Sequence, residues 1–261
     1  SADIQAFADR HGFNDPVIVQ FGHFLNDLAH LDFGQSLRMG RPALDVVLQA
    51  FPTTLKLAAI TMAISLVVAI VTGALAAWRP DGVFDRTTTV LSLLGASAPA
   101  FWIAIVGILV FAVGLHWLPT SGMGGAAYWV LPVAVLVLRP VGVIAQVVRG
   151  SMITALSSSY VKTARAKGAQ PRRIIFVHAL RNAMLPVITV AGDQAASILN
   201  GAVVVETIFG FTGIGNLLIE AITYRDFAVL QVSVLFIALA VFLLNIVIDV
   251  AYVLLDPRVS D

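Results

Sequence analysis

The sequence predicts an all-α polytopic membrane protein. Three observations carry that prediction: a composition too apolar for a soluble fold, five apolar runs of spanning length, and cations gathered between the runs. Hydrophobic residues fill 59% of the 261 positions and charged residues 12%, where a soluble domain holds about 25% charged residues. The apolar excess has to face lipid, and the mean hydropathy of +0.92 agrees. The net charge of +1 argues neither for nor against nucleic acid, and no nucleic-acid partner is expected. The chain has no cysteine, which excludes disulfides, thiolate metal sites and cysteine nucleophiles but identifies no compartment.

Residues 1–50 are polar enough to lie outside the bilayer, with Pro16 and Pro42 as boundaries and an amphipathic helix over 16–28. Spans follow at about 54–78, 88–115, 128–148, 183–205 and 229–255. Each is close to the ~20 apolar residues that cross a hydrocarbon core at 1.5 Å per residue.

Loop charge sets the orientation. The first loop holds Arg79 and Arg86, the tail holds Arg258, and the loop over 149–181 holds seven cations: Arg149, Lys162, Arg165, Lys167, Arg172, Arg173 and Arg181. No Asp or Glu occurs between Asp85 and Asp193. These segments belong on the cytoplasmic side, which leaves residues 1–50 and the connection over 206–226 outside. An external start needs an exporter, so a further span ahead of Ser1 is expected, with the true N-terminus inside. The spans and their loops form one transmembrane domain over 51–258.

The basic loop reads as two short helices joined at a break. One of Ser157, Ser158 or Ser159 caps the run that ends at Gly168, and Pro171 opens the next as its first residue. Ala164, Ala166 and Gly168 form a small-residue face that admits a partner surface, with cations around it. The plainer alternative is a positively charged anchor touching lipid headgroups. The external connection holds Gly210, Gly213 and Gly215 and then an amphipathic run over 216–224. It reads either as a turn and short helix acting as an outer gate or as a structured connector.

Ionisable groups inside spans are costly and normally face a bundle interior or water. Arg139 interrupts the third span, Asp193 and Gln194 lie in the fourth, and Asn245 and Asp249 lie in the fifth. Arg139 and Asp193 have opposite charge at similar sequence depth, so they are expected to pair beside a translocation path or, alternatively, as a packing salt bridge. Small residues over 191–197 and Gly201 favour close helix packing. Pro99 and Pro132 can kink the second and third spans. The five histidines lack ligand spacing, no metal site is expected, and no H-E-x-x-H or G-x-S-x-G motif supports a hydrolase. The chain also lacks a G-x-x-x-x-G-K-[ST] phosphate loop.

The run YVKTARAKG…RRIIFVHALRNAMLPVI resembles the cytoplasmic loop of permease subunits in binding-protein-dependent ABC importers, in the dipeptide/oligopeptide branch. FPTTLKLA at 51–58, FDRTTTVLSLLGASAPAFW at 84–102, LHWLPTSG at 115–122, GAVVVETIFGFTGIGNLLIEAITYRDF at 201–227 and LLDPR at 254–258 extend the resemblance, in order, across most of 45–258. Lys162 and Thr163 stand where the general loop motif has Glu and Ala. Of its later Ile-x-Leu-Pro only Leu180 matches, with Leu185–Pro186 supplying the Leu-Pro pair as the peptide branch does.

The resemblance implies a type I importer helical bundle in the bacterial inner membrane, with a first span not seen here. It implies that Tyr160, Ala164, Arg165, Ala166, Lys167, Gly168, Arg172 and Arg173 contact an ATPase subunit. Arg139, Asp193, Gln194 and Asn200 are candidates for the translocation path, and Glu206, Phe209, Phe211 and Gly213 for the outer gate. The implied partners are a second homologous permease subunit, two cytoplasmic ATPase subunits, an extracytoplasmic solute-binding protein and membrane lipid. No cofactor is expected in this chain, with ATP and Mg held by the ATPases. The substrate class implied is di- or oligopeptides. Nickel chelates, glutathione or another small solute are the alternatives, as is a self-contained secondary transporter with Arg139 and Asp193 as its coupling site.

Overall fold

The computed structural model describes residues 16–255, and among them the regular secondary structure is helical apart from a single bridge between Gln35 and Pro42. The first fifteen residues and residues 256–261, which include Arg258 and the last three residues of the LLDPR run, lie outside the described residues. Helix α1 (Val17–Ala29) follows Pro16 much as the sequence predicts. A tight loop then leads into α2 (Ala43–Trp78), with Ala43 N–H donating to Gly34 O at 3.0 Å. This 36-residue helix starts eleven residues before the expected span. Pro42 sets its start, whereas Pro52, whose missing N–H is tolerated in a spanning helix, does not interrupt it.

The second span is broken. Helices α3 (Val83–Ser97) and α4 (Ala100–Gly114) meet at 101°, and the last seven residues of α4 have π-helical pairing. The cause is Pro99, which bars the helical conformation for the residue before it: Ala98 is extended, at φ −75° and ψ 132°. By contrast α5 (Ala127–Ser157) passes through both Pro132 and Pro140 as one helix, so the expected kink at Pro132 does not break it.

The basic loop also differs from expectation. Helix α6 (Ser159–Ala166) is separate, but the second short helix is the start of α7 (Pro171–Phe209), a continuous 39-residue helix that includes the fourth span. No glycine or proline lies between Pro171 and Pro186 to stop it. A π-helical stretch over Ile174–Ala179 absorbs the irregularity instead. Helices α8 (Ile214–Tyr224) and α9 (Phe227–Leu255) complete the bundle. Four helices are individually long and apolar enough to span a bilayer, and the α3–α4 pair makes five.

Lipid supplies no hydrophobic drive between helices, so the bundle rests on close packing through small residues. A side chain at Gly73 would meet Ala145 O at 2.6 Å, and one at Gly142 would collide with the Ser92 backbone, so α2 and α3 both pack closely against α5. Half of the α5 span is buried, against 22% for α9, so α5 is the central rod and α9 a peripheral one. Buried side chains form three clusters. Ile144, Val148, Met152 and Val187 pack near the basic loop. Leu57, Leu136, Phe209 and Phe211 fill the middle and far half. Val47, Ile214, Leu217 and Val232 close the far end.

Candidate functional site

The two functional segments lie at opposite ends of α7. At 1.5 Å per residue its 39 residues span about 58 Å, enough to cross the bilayer and protrude. One end carries the basic elbow and the other the glycine turn before α8.

In the elbow, Ser158 occupies the cap position, but its hydroxyl donates back to Ala155 O at 2.5 Å, so it finishes α5 rather than capping α6. Gly168 ends α6 in the left-handed region at φ +77°, with its N–H on Arg165 O and that of Ala169 on Ala164 O. Pro171 then occupies the first turn of α7. Val161, Ile174 and Ile175 are buried and fasten the elbow to the bundle. Tyr160, Arg165, Ala166, Lys167, Gly168, Arg172 and Arg173 are exposed, and Ala164 is half-buried.

Tyr160, Thr163, Ala164, Lys167, Gly168 and Arg173 line an open depression of about 710 Å³. Lys162, Lys167, Arg172 and Arg173 have no ion pair among the described residues. Arg165 alone folds back, its guanidinium 5.2 Å from the ring centre of Trp78 at the end of α2. The elbow thus presents unneutralised cations around a small-residue floor.

At the other end Glu206 organises the turn. Its carboxylate is fully buried and accepts from the Thr54 hydroxyl (2.7 Å) and from the N–H groups of Gly215 (2.8 Å) and Asn216 (3.2 Å). The Thr54 hydroxyl oxygen accepts in turn from Ile214 N–H at 2.9 Å. Three orphan donors at the N-terminus of α8 are therefore satisfied by side chains from α2 and α7. A side chain at Gly213 would collide with this carboxylate, so the glycine is needed for the close approach. Gly210 turns the chain at φ +65°, and Phe211 N–H closes on Glu206 O at 2.8 Å. Phe209 and Phe211 are buried, the latter edge-on to Trp129 at 5.0 Å. Their side chains anchor the segment in the core.

The loop after α1 clasps α8 from outside. Ser36 donates to Asp226 (2.5 Å), Arg38 pairs with Glu220, and the Arg38 guanidinium lies 4.0 Å from the centre of the Tyr224 ring.

The expected pairing of Arg139 with Asp193 does not form. Gly201 lies against Leu136, which places Asp193 about 7.5 Å along the axis from the level of Arg139, more than one turn. Sequence depth counted from predicted span ends missed that offset. Arg139 makes no ion pair among the described residues, and Asp193 accepts instead from the buried Gln194 at 3.1 Å. Arg139, Asp193 and Asn200 are all exposed on the isolated chain. Asp193 and Asn200 are seven apart on one face of α7, and Asn200 shares a shallow, mainly apolar groove with Asn245. Ionisable residues on a spanning helix almost always face a bundle interior or a water-filled cavity.

Sequence reasoning missed Thr54, Ser36, and the ion pair between Asp85 and Arg149. Only Asp85 had a visible signal, as the last acid before a long acid-free stretch.

Comparison with known proteins fits this arrangement. The family model for the binding-protein-dependent transport system inner membrane component matches residues 69–261. A probable peptide ABC transporter permease protein of Sinorhizobium fredii is 39% identical over 256 residues, covering 95% of this chain and 82% of the relative. The dipeptide transport system permease protein DppB of Alkalihalophilus pseudofirmus is 34% identical over 290 residues (99% and 87%). The oligopeptide transport system permease protein AppB of Bacillus subtilis is 34% identical over 270 residues (99% and 85%). In structure, the chain is similar to one of the inward-facing MetNI methionine ABC transporter, with a TM-score of 0.68 at 16% identity, covering 81% of this chain and 96% of that one. That likeness speaks for the fold.

Proposed function

The chain belongs to the family of binding-protein-dependent transport system inner membrane components, and from that premise we propose that it is one permease subunit of an ATP-driven importer of di- or oligopeptides. It is a multi-pass protein of the bacterial inner membrane, and in this reading it supplies half of the translocation path. A second permease supplies the rest, two ATPase subunits with ATP and Mg bind the elbow, and a solute-binding protein delivers peptide to the outer face.

One observation carries the reading. The exposed, unneutralised elbow and the Glu206-capped outer segment are the two ends of one continuous helix, α7. A displacement of the elbow acts on the start of α7, which continues to the outer closure as one helix. The exposed Asp193 and Asn200 on that same helix supply a polar face for the path, and the segment over 206–226 supplies its outer gate. The peptide substrate is supported by the relatives' names.

Purification of the membrane complex from its native host tests the proposal. ATPase subunits should co-elute, and Gly168→Leu or Ala164→Tyr should release them. ATP-independent uptake by this chain alone would contradict it.

A further inference from the structure

Two arginines, Arg165 in the elbow and Arg149 on α5 ahead of it, meet the two sides of the α2–α3 turn, and the function described so far uses neither contact. Helices α3 and α5 run antiparallel at a separation limited by glycine: Gly95 sits against Leu138 O (3.0 Å for an added Cβ) and Gly142 against the Ser92 backbone. Each step back along α3 is matched by a step forward along α5. The register that pairs these residues also brings Asp85, near the start of α3, beside Arg149, near the end of α5.

Asp85 is 2% exposed, and its two carboxylate oxygens accept from Arg149 Nε and, at 2.7 Å, Arg149 Nη2. Asp81 N–H donates to the same carboxylate at 2.8 Å. On the other side of the α2–α3 turn, Trp78 receives Arg165 from the elbow itself. Cations at and just before the elbow thus hold both flanks of the short 79–82 turn.

A buried ion pair is a poor source of stability, because desolvation offsets much of its attraction. What a bidentate guanidinium–carboxylate contact provides is fixed direction. Apolar residues of the same volume would pack α3 on α5 without that directional contact.

We propose that Asp85 and Arg149 are positioning residues that form a strut, carrying displacement of the elbow into the bent α3–α4 pair, whose 101° bend at Ala98–Pro99 is the joint it works against. This rests on the reading of the elbow as the ATPase contact. Two paths then leave the elbow: α7 to the outer gate, and the strut to the broken span.

The test is uptake per ATP hydrolysed by the reconstituted complex. Asp85→Asn keeps the shape and removes the charge. It should leave ATP hydrolysis within about twofold of the parent while uptake per ATP falls about tenfold, a size usual for coupling between distant sites. Since the chain has no cysteine, Asp85→Cys with Arg149→Cys provides a switch within one folded sample. Uptake per ATP should be low with free thiols, recover when a short bis-methanethiosulfonate bridges them, and fall again on reduction. Uptake and hydrolysis declining in parallel in Asp85→Asn, or a ratio indifferent to bridging, would overturn the strut. Absence of ATPase subunits from the parent complex would overturn the underlying reading as well.

Discussion

Replacing Glu206 with alanine should release the outer segment from the bundle. The side chain is fully buried and supplies the acceptor for two backbone N–H groups and the Thr54 hydroxyl. Alanine would leave the N–H groups of Gly215 and Asn216 without a partner, and each orphaned buried donor costs about 1–3 kcal/mol. The sum is about 2–6 kcal/mol before any cavity cost. At roughly 2–4 °C per kcal/mol, the thermal midpoint in detergent should fall by at least about 4 °C. Glu206→Gln separates acceptor from volume, since its carbonyl can still accept from both N–H groups while its amide faces Thr54. It should lose only about 1–2 kcal/mol. Limited proteolysis reads the same change locally, with cleavage over 210–216 accelerated in the alanine variant and little changed in the glutamine one. An alanine variant that melts with the parent and resists cleavage equally would refute the assignment of Glu206 as the cap of α8.

Other perturbations have equally defined outcomes. Gly142→Ala drives a methyl group into the Ser92 backbone, so about 1–3 kcal/mol of overpacking should appear as a lower thermal midpoint. Arg38→Ala breaks a pair whose side chains are 41% and 38% exposed, so stability should drop by no more than about 1 kcal/mol, with the difference shrinking in high salt. Arg225 ends α8 at φ +57° without being glycine, so Arg225→Gly should stabilise the protein by about 1 kcal/mol in a denaturant titration.

Which features were legible in the sequence follows from the range of the forces that set them. Apolar run length and loop charge are local, so the span count and the break at Gly168–Pro171 could be read directly. Gly168, Gly210 and Pro171 each stand where backbone geometry demands them. The fusion of the second loop helix with the fourth span was not read, because nothing local signals continuity except the absence of a breaker. Pro99 and Pro132 illustrate the limit: both were read as able to kink a span, yet the helix breaks at Pro99, with a 101° bend, and continues through Pro132.

Pairings between distant segments depend on helix register, which sequence depth does not give. Arg139 and Asp193 share a rough depth but miss by more than a turn. Asp85 and Arg149, 64 positions apart, meet because glycines on both helices fix the register. Thr54 and Glu206 meet across 152 positions. Both residues lie within the runs that carry the family resemblance, but their contact is a property of the folded bundle.

A single cysteine at Lys167, in a chain with none of its own, asks most directly whether the elbow is the ATPase contact. Membrane vesicles holding the whole complex would be treated with a short thiol-to-amine cross-linker. Covalent capture of the ATPase subunit, with a yield that changes when ATP is bound, is the expected result. Labelling of that cysteine by an impermeant maleimide added outside intact cells, or cross-linking to phosphatidylethanolamine alone, would contradict the account.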